Sequence, residues 1–480
     1  MGMNLRGEWK ADYFSKLSYM DLIIFLIPVI VFSYYLYVFD PGILRYDSFD
    51  QLHQIASHQF YNWHPFFHTF IEMVLLRIYP SPISVCIFQI LTFSTIWTAI
   101  CRYYRYEDEN LKNVFVLQVL TTSVICLIPI NAVYSISLLK DILFGYFLLL
   151  TCFSIAVLLD RKGEVGMGFL VVAALAMSFV AGLRPNGIHV VIVTLIVLAA
   201  YFLKKKYDKR VIITLVSLVI VFILLIASLN AVYDVSDNQK SALRAKVVHM
   251  LADYDLNLTL TPQDSAKLHE VINESAIRSN YHVTYSDPIY EALNMSAYDK
   301  DKYGYLEMAF RYSVENPQHF AKYLLDSSPM VWDIARDGSW IGMQYIVDLQ
   351  SAKNSFFSYH QISNITPLEN VSSKNIGTDQ FDTLNNFTET FKSNIILDTL
   401  CNSPALYMYL AFALMGMICF MTKSKEIFLV YLPNMVNIVI IFLSTPIQDN
   451  RYLYPNLLIC YFLIIMLIGI TAKKKLNNFN

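Results

Sequence analysis

The stretch PFFHTFIEMVLLRIYP, residues 65–80, decides how this chain is threaded. It is apolar enough to approach a membrane but carries His68, Glu72 and Arg77. It also falls short of the roughly 20 apolar residues that a helical span needs. The distribution of basic residues settles whether it crosses, because Lys and Arg concentrate in cytoplasmic loops. If 65–80 stays on one side, one side collects Arg6, Lys10 and Lys16, RYYRYEDENLK (102–112), Arg161 and Lys162, KKKYDKR (204–210), Lys423 and Lys425, and KKK (473–475). If it crosses, every later basic loop moves opposite the N-terminus. We therefore read 65–80 as a helix lying on the outer surface with a proline at each end, and both termini as cytoplasmic.

About ten spans surround that helix, near 21–39, 82–101, 112–130, 141–159, 166–182, 187–203, 211–229, 402–421, 427–444 and 454–472. Composition agrees: of 480 residues 56% are apolar and 15% charged, with a mean hydropathy of +0.44, whereas soluble proteins carry about 25% charged residues. The fold class is an all-α polytopic protein of the cell membrane with outer juxtamembrane helices and a large extracytoplasmic segment. Three regions follow: 1–229, a transmembrane module with its first outer loop and surface helices (40–80); 230–401, an outer, mostly helical segment; and 402–480, the last spans. A net charge of −2 gives no reason to expect a nucleic-acid partner. The seven cysteines lie in or beside apolar runs without CxxC spacing, and read as small packing residues. The N-terminus lacks a cleavable-signal pattern, so the first apolar run reads as a retained span, and MGMNLR is a poor myristoylation match.

The first outer loop, YDSFDQLHQIASHQFYNWHP (46–65), is dense in polar side chains. A helix over 47–60, turning about 100° per residue, puts Asp47, Asp50, Gln51, Gln54 and His58 on one face. Phe49, Leu52, Ile55, Ala56 and Phe60 take the other. Alone, this amphipathic pattern fits a solvated surface helix as well as a site. Other outer loops tip the balance. LLKD places Lys140 and Asp141 at a span lip, LRPNG places Arg184 at another, and QDNRYLYP places Asp449 and Arg451 at a third. Each by itself is an ordinary helix-end anchor. Together, three lip cations facing carboxylates suit a lipid-borne phosphate, with a carboxylate as general base and the cations stabilising the departing phosphate. His53, His58 and His64 lack zinc-site spacing with Asp47. His64 suits contact with phosphate or acceptor, and Trp63 either stacks on a sugar or, more ordinarily, anchors at the interface. No Asp, Glu, Lys or Arg falls near a span centre, which argues against ion-coupled transport. Asn434, Asn437 and His189 read as interhelical hydrogen-bonding residues.

This order of features resembles the GT-C superfamily of integral membrane glycosyltransferases. The nearest likeness is to bacterial members with a D-S-x-x-Q … HP … T block, matched by Asp47, Ser48, Gln51, His64, Pro65 and Thr69. The likeness covers the first seven spans, the last loosely, and leaves 230–401 unmatched. It implies a polyprenyl-phosphate-linked sugar donor, a cell-envelope glycan acceptor and chemistry on the outer face. Asp47 takes the place of the catalytic carboxylate, with Asp50 as the alternative and Asp141 as a second outer acid. Lys140, Arg184, Arg451 and His64 fall to the donor phosphate, Gln51 and Trp63 to the acceptor or sugar. Many relatives carry Asp-Glu where this chain has Asp47-Ser48, which leaves a magnesium or manganese requirement open and assigns no metal ligand. Two other functions stay in view: a surface-polysaccharide polymerase or ligase using a diphosphate-linked donor, and a lipid-linked glycan transporter or flippase. Within 230–401, DKYGYLEMAFRYSVENPQHFAKYLLDSSPMVWDIA predicts two amphipathic helices broken at Asn316-Pro317, and the Ser-, Asn- and Thr-rich part from 351 to 390 predicts loop. The segment is expected to cap the site and select the acceptor, or to dock a partner. Sequons at Asn257, Asn364 and Asn386 carry no weight.

Overall fold

The computed structural model describes residues 18–105, 111–236, 242–335, 340–343, 375, 377–444 and 448–477. Among these, the chain is almost wholly helical, and β pairing is confined to isolated bridges. The first ten helices are α1 (Tyr19–Val38), α2 (Tyr46–Ser57), α3 (Phe66–Ile78), α4 (Ile83–Tyr103), α5 (Leu111–Leu127), α6 (Pro129–Ser135), α7 (Lys140–Asp160), α8 (Met167–Leu183), α9 (Gly187–Lys205) and α10 (Lys209–Val232). Among the described residues eight helices are long and apolar enough to cross a membrane: α1, α4, α7, α9, α10, Pro404–Thr422, Ile427–Ser444 and Asn450–Lys473. This makes the chain a multi-pass membrane protein with the lipid bilayer as its natural surroundings.

Two of the ten expected spans take other forms. The 112–130 run is broken: α5 stops at Leu127 and α6 leaves at 73°. Pro129 is the cause, since a proline pushes the preceding residue out of the helical region, and Ile128 is extended with ψ of 112°. The 166–182 run becomes α8, whose 17 residues rise only about 26 Å. Counting the bent pair as one span brings the total to nine.

Helix α7 is buried on every side, so it needs no polar face. It packs against α8, the Ile427–Ser444 helix and the last helix, Tyr454–Asn477. By contrast α10 buries only Ile212, Leu215 and Val219 and exposes Leu224, Leu225 and Val232. That leaves it an apolar surface suited to lipid.

Ion pairs mark the two ends of the bundle. At one end Asp21 meets Arg102 and Arg105, and Glu426 meets Lys205 and Tyr201. At the other end α2, α6 and the starts of α7, α9 and the last helix converge. Helices α1 and α4 run antiparallel. Asp21 of α1 lies at the end of α4, and Gly42, just past α1, touches Cys86 near the start of α4. Helix α3 therefore starts and finishes at the same end. Its 13 residues rise about 20 Å, and it packs on α4, α8 and α10. The basic residues Arg6, Lys10 and Lys16, and part of 102–112, lie outside the described residues.

The long polar segment builds a second core. Ala242–Asn257, Lys302–Glu315 and Pro317–Asp326 are helices, with the break at Asn316 as expected. They gather Val248, Leu251, Tyr254, Leu268, Ile289, Met308 and Tyr312. The expected loop over 351–390 is corrected in part: Asp379–Ser393 is a helix, capped by Thr378, with Phe381, Leu384 and Thr388 on its buried face. Helical spacing of those three outweighs the Ser- and Asn-rich composition. Residues 351–374, including the sequon at Asn364, lie outside the described residues.

Candidate active site

The site begins with a backbone clamp. Gly42 has φ of 114°, and a Cβ there would sit 2.6 Å from Cys86 Sγ and 3.0 Å from the Ile136 carbonyl, so the turn requires glycine. Beyond it Ile43 N donates to Ile136 O at 2.8 Å and Leu138 N donates to Ile43 O at 3.1 Å. Ser48 Oγ donates to Leu138 O at 2.6 Å and accepts from Arg45 N at 3.0 Å. These bonds lock the first turn of α2 against the segment that leads into α7, and so bring Asp47 beside Lys140.

The charged residues form one connected network. Asp47 Oδ2 accepts from Lys140 Nζ at 3.1 Å and from Arg451 Nη1 at 2.9 Å. Arg451 Nε lies 3.1 Å from Asp449 and 3.7 Å from Asp141. Arg184 Nε lies 3.2 Å from Asp141, while its guanidinium stacks over Tyr452 and Phe144 at 4.7 and 5.3 Å. Asp47, Asp141, Lys140, Arg184 and Arg451, drawn from four separate stretches of sequence, thus meet in one place. Sequence reasoning passed over Arg45, which donates to Asp449 at 2.9 Å, and gave Asp449 no role. The signal available was the basic residue two positions before Asp47. The 448–451 loop is held from outside. Ile341 N donates to Gln448 O at 2.7 Å, Asn450 N to Ile341 O at 3.0 Å, and Asn450 Nδ2 to Asn402 Oδ1 at 2.9 Å.

Burial alone would raise the proton affinity of Asp47, but the charges of Arg451 and then Lys140 outweigh it. The carboxyl is held well below the usual carboxylate range. Burial, reinforced by Lys140, pushes His64 down to about 4. A neutral imidazole facing an ammonium can only accept from it, so Nδ1 takes the 2.9 Å bond from Lys140. Its Nε2–H then points toward Asp50 Oδ2, 3.6 Å away. Asp50 also accepts from Tyr61 OH and, at 3.0 Å, from Gln54 Nε2. Its contacts are with neutral groups, unlike those of Asp47.

The expected wheel for 47–60 is corrected at both ends of its logic. Helix α2 stops at Ser57, with His58 left-handed at φ of 54°. Of the expected polar face Gln51 and Gln54 are buried, Asp47 and Asp50 partly buried and His58 exposed, while Phe49 and Leu52 are buried as expected. Gln51, read from sequence as an acceptor contact, is fully enclosed and donates to Thr69 Oγ1 at 3.0 Å while touching His68 Nδ1 at 3.0 Å. Behind it, His68 Nδ1 lies 3.7 Å from Glu72. Both Glu72 oxygens and His68 Nε2 are buried without a hydrogen-bond partner among the described residues. Burial raises Glu72 well above the usual carboxylate range and lowers His68 to about 3, so the imidazole is neutral at pH 7. Trp63 is 37% exposed beside His64, with ring centroids 6.2 Å apart.

Among the described residues no three acids, histidines or cysteines assemble as a metal-holding group. The acids of the network are each opposed by a guanidinium or an ammonium, so the donor set does not fit a resident magnesium or manganese ion. No protein-family model matches the chain, and no match is found among curated proteins or solved structures. Fold and site together define a polytopic helical membrane protein with a closed, charge-paired cluster at one end of its bundle.

Proposed function

We propose that the protein is a GT-C-type membrane glycosyltransferase. It takes a sugar from a polyprenyl-phosphate carrier and gives it to a cell-envelope glycan on the outer face of the cell membrane. One observation carries this reading: Asp47 is gripped by two cations, Lys140 and Arg451, that come from opposite halves of the chain. A carboxylate so held is a weak base at rest. A donor phosphate offers the same cations a stronger, multiply charged partner. When Lys140 and Arg451 turn to the phosphate, Asp47 regains proton affinity, and only then is it suited to general-base work. The acceptor hydroxyl gives its proton to the carboxylate as its oxygen bonds the anomeric carbon. The bond from that carbon to the phosphate oxygen breaks, and the electron pair leaves with the lipid phosphate, where the cations stabilise it. Asp50, surrounded by the neutral Tyr61, Gln54 and His64, is the alternative base. The uncharged span interiors favour transfer over ion-coupled transport; Asn434 donates to Asn456 at 2.9 Å, an interhelical bond.

The test is sugar transfer in isolated membranes, with labelled polyprenyl-phosphate sugars and crude envelope acceptor, at matched expression. Asp47→Asn is expected to lose transfer by 100-fold or more, in line with the roughly 10²–10⁴-fold worth of a general base. Asp50→Asn is expected to retain most of it. Transfer surviving both substitutions would mean that neither carboxylate is the base; no transfer by wild type with any donor tried would sink the reading.

A further inference from the structure

The Ile395–Asn402 helix, which closes the long polar segment, is built inside out. Its Asp398 and Asn402 face the protein. Asp398, Cys401 and Asn402 are buried, and Asn402 Nδ2 donates to Asp398 at 2.7 Å. The Asn402 backbone carbonyl accepts from Trp340 Nε1 at 2.9 Å, and its side chain accepts from Asn450. Its large apolar residues face outward: Ile395 and Ile396 are 73% and 70% exposed. A helix facing water has the reverse order. The N-terminus is fixed by Asn394, which accepts from Ile396 N and Leu397 N at 3.0 and 3.2 Å, so the outward face is set by caps and not by fraying.

Two further observations say what covers that face. The helix leads through Ser403 directly into Pro404–Thr422, one of the candidate spans. An open groove of about 240 Å³ lies across the junction, lined by Ile395, Ile396, Thr399, Leu400 and Leu406. Tyr409 and Leu410, three and four residues along the span from Leu406 and so on the same helical face, are exposed as well. An apolar surface that prolongs a span surface, on a helix that buries Asp398 and Asn402 and satisfies the Thr399 hydroxyl on its own Ile395 carbonyl, meets the same solvent as the span.

We propose that Ile395–Asn402 is an interfacial helix lying in the bilayer, with lipid acyl chains seated in the groove along Ile395, Ile396 and Leu400. The polar segment therefore ends before residue 395, and a membrane-embedded element holds the loop that carries Arg451. This stands independently of the sugar-transfer reading, since it concerns only where the helix lies.

The experiment places a nitroxide at Ile396→Cys in the full-length protein, reconstituted in phosphatidylethanolamine–phosphatidylglycerol vesicles. Collision with oxygen, which concentrates in lipid, is compared with collision with a water-soluble nickel chelate. Ile395→Cys serves as a second site, Ser275→Cys as the aqueous reference, and labelled wild type corrects for the native cysteines. Expected is an oxygen-to-nickel accessibility ratio at 395 and 396 several-fold above that at 275. A ratio equal to that at 275 would put the helix in water and overturn the proposal. So would low access to both reagents, which would mean that a second copy or another protein covers the groove.

Discussion

Asp47, Lys140, Arg184 and Arg451 are each legible in the sequence as polar residues at a span lip. Their mutual pairing is not, because it depends on side chains brought together from positions as far apart as 47 and 451. Protonation states were equally hidden, since burial sets them. His64 and His68 are neutral inside the fold, near 4 and 3, whereas an exposed histidine titrates at about 6.5. Between those values the unfolded chain binds more protons than the folded one, so stability falls as pH drops below about 6.5. Each histidine contributes a slope of up to about 1.4 kcal/mol per pH unit. Thermal unfolding in detergent from pH 7 to 5 should therefore show a shallower loss in His64→Gln than in wild type. Parallel curves would contradict the buried, neutral assignment. Glu72 works in the opposite sense. Its folded-state proton affinity is raised, so the stability of the native state is lost as pH rises above the unfolded value of about 4.5. Glu72→Gln keeps the shape and removes that loss. The variant should match wild type near pH 4 and be the more stable of the two at pH 8, the gap growing by up to about 1.4 kcal/mol per pH unit. If wild type is the more stable at pH 8, Glu72 is ionised in the fold.

Elements were read well where apolar periodicity is long and uninterrupted, as in α1, α4, α7, α9 and α10. They were misread where a single residue overrides the average. Pro129 sits inside a run whose mean apolarity predicts one span, yet it bends the path by 73°. Phe381, Leu384 and Thr388 supply enough helical spacing to fold a stretch that composition assigns to loop. For α2 the helix and its buried Phe49 and Leu52 were legible, but not the burial of Ser48, Gln51 and Gln54 beside them. Gln51 is enclosed where α3 supplies Thr69 and His68 as partners, and Gln54 where it bonds Asp50 and accepts from Tyr61 N. The register of α2 rests on Ser48, which bonds Leu138 O and Arg45 N. Ser48→Ala strands both backbone groups, at a cost of about 1–3 kcal/mol, and loosens Asp47 from Lys140. Ser57→Ala, at the half-exposed end of the same helix, removes a bond to His53 O and a long, exposed one from Gln59 N, both replaceable by water; its expected effect is within about 0.5 kcal/mol. Chemical unfolding of the two variants checks this, and equal losses would mean that the Ser48 bonds do not fix the helix.

At the scale of the molecule, the two ends differ in kind. One end holds short connections with the basic residues Arg102, Arg105, Lys205, Lys206, Lys423 and Lys425. The other holds the charge-paired site and the whole of 242–335, joined to it by Ser328 Oγ donating to Phe442 O at 3.0 Å. This division matches the reading of 65–80 as a helix that does not cross, and α3 does begin and end at the site end. The positive-inside rule predicts that the site end faces out, and this is testable without any assay of function. Single cysteines at Ser275 and Lys206, both exposed and at opposite ends, are treated with a membrane-impermeant maleimide on intact cells and again after permeabilisation. The native cysteines are buried, save the partly buried Cys419, and wild type corrects for them. Ser275→Cys is expected to label on intact cells, Lys206→Cys only after permeabilisation. The reverse result would put Asp47 and Arg451 on the cytoplasmic side. A sugar donor presented on the outer leaflet would then never reach them, and the glycosyltransferase reading would fall even with the cluster intact.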